Sequence, residues 1–410
     1  MNYNAVFVAL IGVLLFGYIL DRILDILNLK HILPKLPAEL SGIFDQDEYK
    51  RSQLYKRDNT RFSLVTSTLS LLVMLPVFFL GGFGWLDRVI EGITNHYIVH
   101  VLLFFGILAF LSDILGTPFS AYNTFVLEER YGFNRTNVTT FLLDKLKAWF
   151  LGAVIGGGLL ALITWIYMLT GKWFWLVALG VFTLFYLFMN LFYSNLIVPL
   201  FNKQTALEEG SLRSSIEDFA RKVGFKLDNI FVMDGSKRSS KANAYFTGLG
   251  PRKRIVLFDT LIHDLEEEEI VAVLAHEVGH YKKKHTTTGL VMGTMQTALV
   301  LFLFSLFVGK DSFALALGGE EASFHLGLVA FGILYSPISM LLGLGTNAFS
   351  RYNEFQADRF AREEYNADRL VSSLKKLSKN NLSNLTPHPA YVFFHYSHPP
   401  LLQRIRALLN

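Results

Sequence analysis

Seven apolar runs, each near the length needed to cross a bilayer, limit what this chain can fold into: 5–20, 64–85, 98–116, 149–169, 174–200, 286–308 and 326–344. A hydrocarbon core about 30 Å thick takes roughly 20 helical residues, and every backbone polar group inside it must be satisfied within the helix. The expected fold class is therefore a mostly α membrane protein with seven transmembrane helices. Hydrophobic residues make up 52% of the 410, with 37 Phe, which argues against a set of soluble domains. The third run is interrupted by His100 and Asp113, which must face other helices or a wet cavity. No basic residue precedes the first run and no small-residue cleavage site follows it, so it is expected as an uncleaved span.

Loop charges give an orientation. Arg22, Lys30, Lys35, Lys50, Arg51, Lys56, Arg57 and Arg61 lie between the first and second runs, and Arg130, Arg135, Lys145 and Lys147 between the third and fourth. Loops on the other side carry one each: Arg88, Lys172 and Lys310. The positive-inside rule then puts the N-terminus outside and the C-terminus in the cytoplasm. A net charge of +4, without a basic tract among exposed aromatics, gives no reason to expect nucleic-acid binding. There is no Cys, so any metal must be held by His, Asp or Glu.

The division expected is 1–200 for the first five spans, 201–285 for a small soluble α+β unit, 286–348 for the last two spans, and 349–410 for a cytoplasmic C-terminal segment. Within 201–285 a helix is predicted over 211–223 and strands over 229–234, 242–247 and 254–259. Gly235, Gly248, Gly250 and Pro251 supply the turns. Asp264 and Glu266 to Glu269 then open a helix, where acidic residues suit the positive end of the dipole. A further amphipathic helix is expected over 352–378.

That acid-led segment carries His276-Glu277-Val278-Gly279-His280. Residues i and i+4 share a helix face, so His276 and His280 can bind one ion, and Glu277, about 100° round, can reach water on it without being a ligand. This is the donor pattern of a hydrolytic zinc site, with a chance match as the bland alternative. Lys283 and Thr286 stand where one protease class has Gly and His, which rules that class out. His285 rotates off the ligand face and reads as a solvated or capping residue at the membrane boundary. The third ligand must come from later in the chain. Glu354, past the last span, is a candidate, with Asp358 one turn on able to hold a ligand imidazole. Solvated carboxylates are an equal reading, and Glu363 and Glu364 compete.

These stretches, together with Pro199 to Lys203, Gly235 to Ser240, Ala242 to Gly248, Ile255 to Leu261, Glu354 to Asp358, and Ser397-His398-Pro399-Pro400 with Arg404, resemble the integral-membrane CaaX prenyl proteases of the zinc-dependent type over nearly the whole chain. The resemblance implies seven helices around a water-filled chamber, with a zincin-like site at its cytoplasmic end. It implies one Zn2+ per chain held by His276, His280 and Glu354, with Asp358 behind them. It gives Glu277 as general base and sets His398 and Arg404 in the site as catalytic groups. A His in a Pro-rich turn and an Arg facing lipid headgroups are the competing readings of those two. The strand at 242–247, if an edge, could pair with an extended peptide through Asn243, Ala244 and Tyr245. The basic turn at 236–241 shows no nucleophile relay.

The expected activity is cleavage of peptides near their C-terminus, as in removal of -aaX from prenylated CaaX proteins. The expected partners are a peptide or protein substrate, prenylated by resemblance, and the bilayer; the chain is expected as a monomer. A quality-control protease is the second enzyme reading, and a transporter or scaffold the reading from another class. The expected location is a bacterial inner membrane, with the endoplasmic reticulum as the alternative.

Overall fold

The computed structural model describes residues 3–32, 36, 45–227, 229–247 and 254–410. Lys35 and the turn residues Gly248, Gly250 and Pro251 lie outside the described residues. The first half is helical: α1 (Ala5–Lys30), α2 (Gln46–Phe79), α3 (Gly82–Glu91), α4 (Tyr97–Tyr122), α5 (Val138–Leu151), α6 (Gly158–Thr170), α7 (Phe174–Leu196) and α8 (Val198–Phe201). There follow β1 (Gln204–Ala206), α9 (Ser211–Lys222), β2 (Asn229–Met233), β3 (Ala244–Thr247), β4 (Arg254–Phe258), α10 (Asp259–Asp264) and α11 (Glu267–Lys282). The chain closes with α12 (His285–Phe307), α13 (Asp311–Ala316), α14 (Phe324–Glu364), α15 (Ala367–Asn380), α16 (Pro389–His395) and α17 (Leu401–Leu409).

Six helical stretches among the described residues are long and apolar enough to cross a membrane. Seven runs become six stretches because the fourth and fifth lie in one helical stretch, Val138–Phe201. That stretch has 64 residues, and a straight helix of that length would run roughly 96 Å, three times the hydrocarbon thickness. It is broken at Gly171, whose φ of +53° is open to glycine at little cost, followed by a 3₁₀ turn over Gly171–Trp173. Ile163 and Ile166 of α6 share one apolar cluster with Phe174 and Ala178 of α7. Large side chains such as Phe16, Leu72, Phe150, Leu184 and Leu341 are exposed along these stretches, an outer surface suited to lipid.

Other boundaries also shift. The second run was expected to reach Trp85, but α2 stops at Phe79 and Gly81 turns the chain at φ +68°, so Trp85 belongs to α3. At the other end α2 begins at Gln46, well before the apolar run, behind an Asp45/Glu48 capping box. No helix starts at 352. Instead α14 continues from the last apolar run through Glu364, and the expected boundary at 348 falls inside it.

The sheet order is β1-β2-β4-β3, with β2 and β4 parallel and the outer strands antiparallel to their neighbours. The three predicted strands match β2, β3 and β4 within two residues; β1 was not foreseen. Strand β3 sits at one end, so its outer edge pairs with no strand among the described residues. Helix α11 packs behind the sheet through Ile270, Val271, Leu274 and Val278, in one buried cluster with Ile230, Ile255 and Leu257. The basic turn ties this unit to the helices: Arg238 donates to both carboxylate oxygens of Asp144 (2.7 and 2.9 Å), and Lys241 pairs with Glu128 at 2.7 Å.

Candidate metal centre

Helix α11 is built to present its C-terminal half. Glu266 and Glu269 form a capping box at its start, and Glu269, buried, is held by Lys376 at 2.8 Å. Seven apolar or glycine positions between Ile270 and Gly279 are buried, which fixes the helix's rotation and turns His276 and His280 toward α14. Gly279 makes the approach possible. A Cβ there would lie 3.0 Å from Ala357 Cα and 3.1 Å from Ala357 O, backbone atoms that cannot swing aside. Ala357 stands between Glu354 and Asp358 on α14, so the bare glycine lets both carboxylates reach the two imidazoles. Gly279→Ala is expected to push α14 away, costing about 1–3 kcal/mol of stability and weakening metal binding; denaturant unfolding in detergent and a zinc titration check both.

The donors converge. His276 Nε2 and His280 Nε2 are 3.2 Å apart. Glu354 Oε2 lies 3.4 Å from the first and Oε1 3.2 Å from the second. Ligands about 2.0–2.1 Å from a tetrahedral zinc stand roughly 3.3–3.4 Å from one another, so the two imidazoles and the Glu354 carboxylate, which offers a different oxygen to each ring, are spaced like the donors of one tetrahedral face. Glu354 Oε2 is buried without a hydrogen-bond partner, and a cation would satisfy it. Burial alone would lower the basicity of His276, but Asp358 and Glu354 outweigh it and raise its pKa to about 9, another sign that the pocket favours positive charge.

The outer contacts fix the tautomers. Asp358 Oδ1 lies 2.8 Å from His276 Nδ1, so that Nδ1–H donates and Nε2 is the nitrogen turned toward the centre. His285, read from sequence as solvated or capping, faces inward instead. Its Nδ1 is 3.0 Å from His280 Nδ1 and its Nε2 is 2.9 Å from Gln356 Oε1. The consistent assignment has His280 Nδ1–H donating to His285, and His285 Nε2–H donating to Gln356. Five-residue spacing hid this, because His285 reaches back from the start of α12 rather than along α11.

Arg404, expected in the site as a catalytic group, lies behind the carboxylates. It is 9% exposed, donates to both oxygens of Asp358 (2.9 and 2.6 Å), and stands 3.6 Å from Glu354 Oε2. That burial also removes the lipid-headgroup reading. His398 is at the rim: its side chain is 65% exposed, with Nε2 3.3 Å from Glu354 Oε1. Glu277 is half-buried and bounds a small space together with Ala244 and Tyr245 of β3. Asn243 is exposed, its Oδ1 accepting from Ala244 N at 2.9 Å. Glu363 and Glu364 are not in the ligand group.

One other trio among the described residues could hold a metal: Asp87, His100 and His325. Asp87 Oδ1 lies 2.7 Å from His100 Nε2 and 2.6 Å from His325 Nε2. Those are hydrogen-bond lengths, well short of ligand-to-ligand edges, so the trio reads as two imidazoles donating to one carboxylate. It accounts for His100 inside an apolar run. Asp113 is likewise explained, accepting from Lys145 at 2.7 Å and Trp149 at 3.1 Å.

Comparison with known proteins identifies the family. Residues 206–410 match the family described as Peptidase family M48. The chain belongs to that family. Residues 25–203 match the associated unit described as CAAX prenyl protease N-terminal, five membrane helices. The chain is 36% identical to the Arabidopsis thaliana CAAX prenyl protease 1 homolog, covering 97% of this chain and 96% of that one. It is 35% identical to the Saccharomyces cerevisiae CAAX prenyl protease 1 over 91% of this chain and 88% of the relative. The crystal structure of S. mikatae Ste24p superimposes with a TM-score of 0.93 at 32% identity, covering 99% of each chain. The M48 chain is thus a multi-pass membrane metalloprotease.

Proposed function

We propose that this M48 protease is a zinc endopeptidase that removes the C-terminal -aaX tripeptide from prenylated CaaX proteins. The observation that carries this reading is the face formed by His276, His280 and Glu354, with edges of 3.2–3.4 Å, beside Glu277. One zinc per chain in that face would supply Lewis acidity toward water and the scissile carbonyl. Glu277 takes the proton from the attacking water and returns it to the departing amine. His398, open at the rim, donates to the oxygen on which negative charge develops. Arg404 and Asp358 act through the ligands as positioning residues, Asp358 by orienting His276 and Arg404 by holding Asp358 in place. The substrate peptide adds to the free edge of β3, with Asn243, Ala244 and Tyr245 as its contacts.

In this reading the break at Gly171 lets α6 and α7 cross separately, giving seven crossings around a chamber. The N-terminus lies outside and the metal centre on the cytoplasmic side, as the loop charges favour, and the protein works as a monomer. The relatives compared are eukaryotic, from Arabidopsis thaliana, Saccharomyces cerevisiae and Homo sapiens among others, which favours the endoplasmic reticulum membrane over a bacterial inner membrane. Paired peptides test the substrate class. A farnesylated CaaX peptide is expected to be cut at a kcat/KM roughly tenfold or more above its unmodified twin, and chelation should stop both. Equal rates would favour a quality-control protease instead.

A further inference from the structure

A cavity of about 590 Å³ lies where the membrane helices meet the sheet. One wall is a single face of α7, with Tyr186, Met189 and Tyr193 at helical spacing. The other is the end of the sheet: Met233 of β2, Tyr245 of β3 and Phe258 of β4. We propose that this cavity binds the isoprenoid chain of the substrate, a reading that rests on prenylated CaaX proteins being the substrates.

Position is the first argument. Removing -aaX breaks the bond on the carbonyl side of the lipidated cysteine, so the isoprenoid hangs from the residue whose carbonyl is attacked. Its binding site must therefore begin within a side chain's reach of the catalytic base. Tyr245 meets that condition from both sides. It shares a small space with Glu277, and it is also a wall of the 590 Å³ cavity. Its hydroxyl stands 3.3 Å from Gln204 Nε2 and 3.4 Å from Ser194 Oγ, which hold the ring at the junction.

Chemistry is the second. The walls named are aromatic and thioether groups, which suit a flexible unsaturated hydrocarbon, and the volume falls within the usual range for an apolar ligand site. Val198, Phe201 and Asn202, just past the end of α7, continue the wall, so a lipid anchor can lie there while the peptide stays on β3. The larger cavity, about 820 Å³ between α4 and the glycines at 152–158, shares no wall residue with this one. Neither Tyr245 nor Glu277 lines it, so it is the control.

The test compares CaaX peptides carrying a single isoprene unit or a farnesyl group on three full-length proteins: wild type, Met189→Trp and Gly106→Leu. Zinc content verifies each variant's fold. Wild type should prefer farnesyl, with a kcat/KM ratio of roughly tenfold or more. Met189→Trp, which fills the cavity, should bring that ratio close to one because the farnesyl peptide loses far more kcat/KM than the short-chain peptide. Gly106→Leu, which fills the larger cavity, should keep the wild-type ratio. A ratio unchanged in Met189→Trp, equal losses on both peptides in that variant, or a ratio abolished by Gly106→Leu instead would each overturn the assignment while leaving the prenyl reading intact. A wild-type ratio near one would sink the prenyl reading, and the lipid cavity with it.

Discussion

Glu277→Gln should leave one zinc per chain and normal unfolding behaviour while kcat on a CaaX peptide falls by about 10²–10⁴. The amide keeps the size and hydrogen-bonding shape of the side chain but cannot take a proton. Zinc should be indifferent to the change, because the group that could hold it is His276, His280 and Glu354 and excludes residue 277. Glu277 instead faces Ala244 and Tyr245, on the side where the peptide would lie. Metal analysis and single-turnover cleavage on the same preparation separate the two effects. Cleavage within tenfold of wild type would remove Glu277 as the base.

The second large effect is expected at Glu354→Ala. The carboxylate is 4% exposed and touches both ligand imidazoles, His398 and Arg404. In the proposed zinc site its loss removes a direct ligand, so zinc affinity should fall by more than the 10–100-fold typical of an outer partner. Asp358→Asn gives the comparison. It weakens only the bond that orients His276 and the pairing with Arg404, so its loss should stay within about that range. A zinc titration followed by cleavage measures both. If Glu354→Ala binds zinc as tightly as Asp358→Asn, Glu354 is not a ligand.

The parts of this site that were legible in the sequence are those fixed by helical periodicity. His276 and His280 four apart, and Glu354 and Asp358 four apart, each define one face wherever the helix goes. What periodicity cannot supply is the approach of α11 to α14. That rests on Gly279 against Ala357, and an isolated glycine in a helix announces no partner. His285 was misjudged, and the place of Arg404 behind Asp358 was not foreseen, for the same reason: each makes its contacts on another element, so its own neighbours in sequence are uninformative. Continuous α14 was missed because composition changes from apolar to charged near Arg351 without any backbone reason to stop. Strand β1 has only three residues, too few for an alternating pattern to register. The division of one helical stretch into α6 and α7 rests on Gly171, a single residue with positive φ that apolar composition does not announce.

The most direct measurement is an anomalous difference map at the zinc absorption edge from crystals of the purified full-length protein. A single peak is predicted, about 2.0–2.2 Å from His276 Nε2, His280 Nε2 and a Glu354 carboxylate oxygen. No peak between those groups, or a peak at Asp87, His100 and His325 in its place, would contradict the account.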